Sequence, residues 1–223
     1  MHLSIHGLCW LCQMPVALSL WGICSRCSAA LARSVPLCPR CGLPAAHARL
    51  PCGRCLQKPP PWQRLVAVND YAPPLSGLIR KLKFSGRPEI APALARLLLL
   101  KLMSMPQKPD LLIAVPLWRF RLWRRGYNQA DLLCRCLSRW LGCRYRPEAI
   151  CRIRATRIQH RLTARQRRKN LKNAFRLDFP VAGLHIALVD DVVTTGATAA
   201  ELSRLLLQNG AASVQVWCLC RTL

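Results

Sequence analysis

A chain of 223 residues, 52% of them hydrophobic, can bury an α/β core and still carry a small extra module, which excludes a wholly disordered protein. Its 34 Lys and Arg against 9 Asp and Glu give a formal charge of +25, far beyond the roughly 2–8 that solubility asks of a small domain. Such a field attracts polyanions or phosphorylated ligands. No stretch reads as a secretion signal or a membrane span. Residues 8–23 are interrupted by Gln13 and Pro15 and lack a basic lead-in, and residues 93–105 are broken by Arg96 and Lys101. The expectation is a soluble, cytoplasmic protein with no membrane insertion.

The first predicted module is built on cysteine. Eight of the 14 cysteines form four Cys-x-x-Cys pairs: Cys9/Cys12, Cys24/Cys27, Cys38/Cys41 and Cys52/Cys55. A tight knuckle lets two thiolates three residues apart face one ion, so the spacing points to Zn²⁺ rather than to cross-links. Four protein thiolates leave no open position for water or substrate. Two structural zinc ions are therefore expected, not a catalytic one. The simplest grouping is sequential, Cys9, Cys12, Cys24 and Cys27 on one ion and Cys38, Cys41, Cys52 and Cys55 on the other. An interleaved grouping is open on the same spacing. The remaining six cysteines (Cys134, Cys136, Cys143, Cys151, Cys218, Cys220) fall in apolar or helical segments and fit a reducing compartment.

Lys58-Pro59-Pro60-Pro61-Trp62 then forms a stiff connector, dividing a double ribbon (1–57) from an α/β domain (58–223). Along that domain the apolar pattern predicts a strand at 64–69, helices at 75–84 and 88–103, and a buried strand at 110–115 stopped by Pro116. It continues with a helix at 128–141, a very basic helix at 163–174, a strand at 184–189, a helix at 195–209 ended by Gly210, and a strand at 213–219. Apolar strands alternating with helices predict a parallel sheet covered on both faces.

The most specific string is Asp190-Asp191-Val192-Val193-Thr194-Thr195-Gly196-Ala197-Thr198, between a buried strand and a helix. Phosphate favours a helix start, where unpaired N–H groups converge, and a glycine lets the backbone come close. The Thr hydroxyls can donate further bonds, and carboxylates at a strand's C-terminal end can accept from sugar hydroxyls. Asp and Thr also cap helices, which is the plainer reading. The whole string closely resembles the ribose-5-phosphate signature of type I phosphoribosyltransferases. That resemblance implies that Thr194, Thr195, Gly196, Ala197 and Thr198 hold a 5-phosphate. It places Asp190 and Asp191 at the ribose hydroxyls of phosphoribosyl pyrophosphate (PRPP), with Mg²⁺ bridging sugar and pyrophosphate oxygens.

Residues 119–176 hold 18 Lys and Arg against only Asp131 and Glu148. Arg119, Arg124 and Arg125 cluster just past the strand at 110–115, where a type I enzyme keeps its pyrophosphate loop. Arg161, Arg165, Arg168 and Lys169 crowd a second stretch. Guanidinium groups suit phosphate oxygens, and so many like charges repel one another unless an anion neutralises them. Trp118, Trp123 and Tyr127 interleave with arginines, and could either stack on bases or pack into the core.

Val115-Pro116-Leu117, Arg125-Gly126-Tyr127-Asn128-Gln129, and Gln159…Leu162…Arg168…Asn170…Ala174-Phe175 join the loop and the leading ribbon. Together they closely resemble the ComF/GntX family, with Tyr127 where that family more usually has Phe. The resemblance implies a zinc ribbon on a phosphoribosyltransferase fold, single-stranded DNA binding, and a role in competence or in using external DNA as a nutrient, alongside DNA-uptake proteins. An active phosphoribosyltransferase with an unidentified acceptor, or a scaffold with a vestigial site, are the competing expectations.

Overall fold

The computed structural model describes residues 7–31, 36–103, 105, 107–154, 171 and 173–222. Two short knuckles open the chain. Each is closed by an isolated antiparallel bridge, Leu8 with Pro15 and Leu37 with Pro44. Helices α1 (Ser25–Leu31) and α2 (Gly53–Gln57) carry or flank the second cysteine pair of each unit. There follow β1 (Arg64–Asp70), α3 (Leu75–Phe84), α4 (Ala91–Leu102), β2 (Leu111–Ala114), α5 (Arg119–Arg125), α6 (Gln129–Leu141), β3 (Arg144–Tyr145), β4 (Ile150–Arg152), β5 (Phe175–Leu177), β6 (His185–Val193), α7 (Ala197–Gln208) and β7 (Ser213–Arg221).

Five strands make one parallel sheet in the order β1-β7-β6-β2-β3. Strands β2, β6 and β7 are buried almost throughout, as near-continuous apolar runs should be when helices cover both faces. One face packs α3, α4 and α6, with Leu78, Ile79, Leu94, Leu98, Leu133 and Leu137 in one cluster. The other packs α7 and the antiparallel pair β4–β5. The core does not stop at residue 58: Cys9, Val16, Ile23 and Leu31 belong to the same apolar cluster as the leucines of α3 and α4.

The α/β class with a parallel sheet and an N-terminal pair of four-cysteine units is as expected, and the bounds differ at instructive places. Strand β6 runs on past Val189 to Val193, because β7 pairs it as far as Val193 opposite Arg221. The span after Pro116, read as a loop, contains helix α5. It has no buried residue, so no apolar period announced it. Strands β3 to β5 were also not expected, being two or three residues long. The basic helix expected at 163–174 lies almost wholly outside the described residues.

Candidate functional site

The site is a consequence of unequal strand lengths. β2 and β6 are neighbours, paired up to Ala114 opposite Val189, with one more bond from Val115 N–H to the Val189 carbonyl at 2.9 Å. Pro116 has no N–H to continue the ladder. β6 goes on for four residues bonded only to β7, so its edge opens towards the chain leaving β2. From β2 the chain proceeds to β3 on one side, and from β6 to β7 on the other. That divergence is the topological switch point, where open α/β sheets place ligands beyond the carboxyl ends of their strands.

A pocket sits there, lined by Asp190 and by residues 192–199. Helix α7 starts at Ala197, two residues later than expected, behind Gly196 in the left-handed region at φ 74°. Thr195 Oγ accepts from the Ala197 N–H at 3.4 Å, and Thr194 and Thr195 are exposed. The first-turn N–H groups of α7 face the same opening, since a helix start leaves them without intrahelical partners. An anion there would meet backbone donors, hydroxyls and the positive end of a twelve-residue helix.

The two carboxylates are close but differently engaged: Asp190 lines the pocket, while Asp191 pairs with Lys83 Nζ at 2.9 Å and stays within hydrogen-bond reach of the Asp190 carboxyl. Asp191 N–H is bonded to Asp190 Oδ1 at 2.8 Å, in place of a neighbouring strand. Burial, reinforced by the charge of Asp191 and opposed by Lys83, pushes the Asp190 carboxyl up to about 8. Arg125 lies close enough to feel Asp191 and stacks at 5.5 Å over the Phe84 ring, while burial lowers its guanidinium from the usual range.

Arg119 and Arg124 project from α5 and are exposed, without lining the pocket. The aromatic residues divide. Trp123 is 79% exposed and lies 6.0 Å from Phe120, itself 60% exposed, centroid to centroid. Trp118 is half-buried, and the Tyr127 hydroxyl is committed to the Leu82 carbonyl. The Arg125–Gln129 string is architectural at this point. Gly126 ends α5 in the left-handed region, and Asn128 caps α6 by accepting from Ala130 N–H at 3.1 Å. Asn128 also donates to the Val115 carbonyl at 3.0 Å, holding the exit of β2. Arg161, Arg165, Arg168 and Lys169 lie outside the described residues.

The cysteines group sequentially. The ligand atoms of Cys9, Cys12, Cys24 and Cys27 lie within 4.8 Å of one another, as do those of Cys38, Cys41, Cys52 and Cys55; the interleaved grouping is not formed. Backbone N–H groups point at the sulfurs, Cys24 N to Cys9 Sγ at 3.4 Å and Cys52 N to Cys38 Sγ at 3.2 Å. Burial raises the Cys9 and Cys38 thiols, but such N–H groups more than offset it and bring both down to about 6. Burial and the neighbouring sulfurs push Cys27 up to about 12. Four clustered thiolates repel one another unless a cation joins them, and a soft four-sulfur set of this size fits Zn²⁺. All 14 cysteines are free of disulfides.

Sequence reasoning passed over Lys83, Trp62 and Arg221. Lys83 sits among alternating charged and apolar residues of α3, and nothing local marks it as the partner of Asp191. Trp62 precedes β1 and Arg221 ends β7, and only the order of the sheet brings them beside the loop.

No family model matches the chain. It is 66% identical over 226 residues to the DNA utilization protein YhgH of Escherichia coli O6:H1, covering 99% of this chain and 100% of that protein. Identity to competence protein F of Haemophilus influenzae is 41%, with 96% of each chain covered. Identity to competence protein ComFC of Bacillus subtilis is 29%, over 90% of this chain and 84% of that one. Among solved structures, the chain is similar to glutamine PRPP amidotransferase from B. subtilis complexed with ADP and GMP. That likeness has 16% identity over 63% of this chain and 30% of that one, with a TM-score of 0.41, too distant to bear on function. No helix among the described residues is long and apolar enough to cross a membrane.

Proposed function

The chain belongs to the ComF/GntX family of DNA-utilisation and competence proteins, and from that premise we propose that it handles single-stranded DNA taken up for use by the cell, holding a phosphoribosyl group at the 190–198 loop. We read residues 1–57 as a ribbon carrying two structural zinc ions and residues 58–223 as the phosphoribosyltransferase-like part. The protein would act in the cytoplasm, where free thiols persist.

The observation that carries the reading is an adjacency. The loop at the end of β6 and the exposed Arg-and-aromatic helix α5 both follow the paired ends of β2 and β6, and Arg125 at the end of α5 lies within electrostatic reach of Asp191. The loop would take a sugar phosphate on Thr194–Thr198, with Asp190 accepting from a ribose hydroxyl and Mg²⁺ arriving with PRPP. Asp191 would join it when Lys83 turns to a phosphate oxygen. Arg119, Arg124 and Arg125, with Arg161, Arg165, Arg168 and Lys169, would neutralise backbone phosphates, while Trp123 and Phe120 offer ring faces to bases.

Calorimetry with PRPP and Mg²⁺ tests the loop. Heat with the native chain and its loss in Asp190→Ala/Asp191→Ala support the site, and unchanged binding in the double variant refutes it. Anisotropy with a labelled oligonucleotide tests the surface. Affinity should fall with salt at a log–log slope of about −0.7 for each phosphate neutralised, and weaken in Trp123→Ala; a flat salt response refutes it.

A second reading, a working type I phosphoribosyltransferase, is favoured by the pocket at the loop, since positioning and charge stabilisation would supply most of the catalysis. Pyrophosphate release from PRPP in the presence of nucleobases would establish it, and binding without release would exclude it.

A further inference from the structure

Two side chains tie the 194–198 loop to the second cysteine group, and they belong to neither. Trp62, 6% exposed, lays its ring over Gly196 so closely that a Cβ there would meet Trp62 Cη2 at 3.0 Å. The indole N–H of Trp62 donates to the carbonyl of Arg40, inside the Cys38–Cys41 knuckle. Arg40 in turn donates to the Pro60 carbonyl at 3.2 Å, closing the connector over the knuckle.

Arg221, at the end of β7, makes the second tie. Its Nε donates to the Cys41 carbonyl at 3.0 Å, and its Nη1 donates to the Val193 carbonyl at 3.0 Å. Val193 is the last strand residue before the loop. One planar guanidinium thereby fixes the distance between a zinc knuckle and the loop's first anchor, and the rigid fork allows little slack. The knuckle is seated on the sheet between these ties. Leu65 N–H donates to the Pro39 carbonyl at 2.9 Å, and a Cβ on Gly42 would lie 2.4 Å from Leu65 Cδ2. Among the described residues, no side chain ties the first cysteine group to the 194–198 loop; its polar links run from Arg96 on α4 to the Ile23 carbonyl at 3.1 Å and from Asn69 on β1 to the Leu31 carbonyl at 3.0 Å.

We propose that Trp62 and Arg221 are positioning residues through which the second cysteine group sets the conformation of the 194–198 loop, and with it the loop's affinity for a phosphate group. The affinity half rests on the phosphoribosyl reading above; the conformational half does not. A knuckle that loses its ion loses the turn that presents the Arg40 and Cys41 carbonyls. The indole and the guanidinium then lose their acceptors, and Gly196 loses its cover.

The test uses the full chain, with hydrogen exchange followed on peptides spanning 193–199 and calorimetry with ribose 5-phosphate. Trp62→Ala, Arg221→Ala and Cys41→Ser should each speed loop exchange by about tenfold, the effect of losing one such bond, while exchange at 111–114 stays as in the native chain. Ribose 5-phosphate affinity should drop by a similar factor. Trp62→Phe, which keeps a ring over Gly196 but has no N–H, should fall between, and Arg221→Lys should restore part of the protection. Arg96→Ala, which loosens the first group's seat, should change neither readout. Unaltered loop exchange in the Trp62, Arg221 and Cys41 variants overturns the proposal, as does equal loosening by Arg96→Ala. Failure of the native chain to bind ribose 5-phosphate would sink the phosphoribosyl reading, while loop exchange would still decide the tether.

Discussion

In the first cysteine group the Cys9 N–H meets the Met14 carbonyl at 2.8 Å, and in the second the Cys38 N–H meets the Leu43 carbonyl at the same distance. The turns match residue for residue, with Gln13 and Gly42 both in the left-handed region at φ 60° and 69°. What surrounds them does not match. The first group leans mainly on α4: Ile23 is fully buried, Arg96 stacks 4.3 Å over Trp21, and Arg96 and Asn69 donate to the Ile23 and Leu31 carbonyls. The second leans on β1 and β7 through backbone acceptors and stands behind the candidate phosphate loop. One local motif, used twice, contributes core on one side of the molecule and geometry on the other.

The comparison can be broken most forcefully at Ile23. Ile23→Ala should cost roughly 2–5 kcal/mol in urea unfolding, as truncation of a fully buried side chain does, and should leave PRPP affinity in place. Loss of binding without loss of stability would erase the distinction between the two groups. Next is Gly42→Ala, which pushes a methyl into Leu65 at a positive φ and should destabilise by about 1–3 kcal/mol. The equivalent change in the first group has the opposite sign. Gln13→Gly relieves a strained backbone at an exposed residue and should raise stability by up to about 1 kcal/mol. Equal responses at the two turns would contradict the packing difference.

A further effect is read by pH at the loop that the second group backs. The folded chain holds a proton on Asp190 up to about 8, whereas an ordinary carboxyl at 3.8 has already released it. Stability from this proton is present below the lower value and is lost as pH rises through the upper one. Asp190→Asn carries no such dependence. Its Tm should exceed the native chain's above pH 8, and the difference should close towards pH 4. A constant difference across that range would assign Asp190 an ordinary carboxyl.

The contrast also marks where the sequence could be read. Spacing alone marked the cysteines as candidate ligands, because a Cys-x-x-Cys turn is local, and strand periodicity placed β2, β6 and β7 because burial on both faces leaves a continuous apolar run. Helix α5 stayed hidden because it buries no residue and so carries no periodic signature. The sequential grouping of the thiols was expected only as the simpler of two, since both groupings use the same turns and only their distances choose between them.

What the sequence by itself determined are the elements whose causes lie within a few residues: the knuckles, the buried strands, the loop between β6 and α7, and the charge that draws anions. The tertiary structure alone decided that Asp190 lines the pocket while Lys83 holds Asp191, and that Trp62 and Arg221 join a distant knuckle to the loop. Those contacts bridge residues far apart in the chain, and their partners are chosen by sheet order and strand length, which no local pattern encodes.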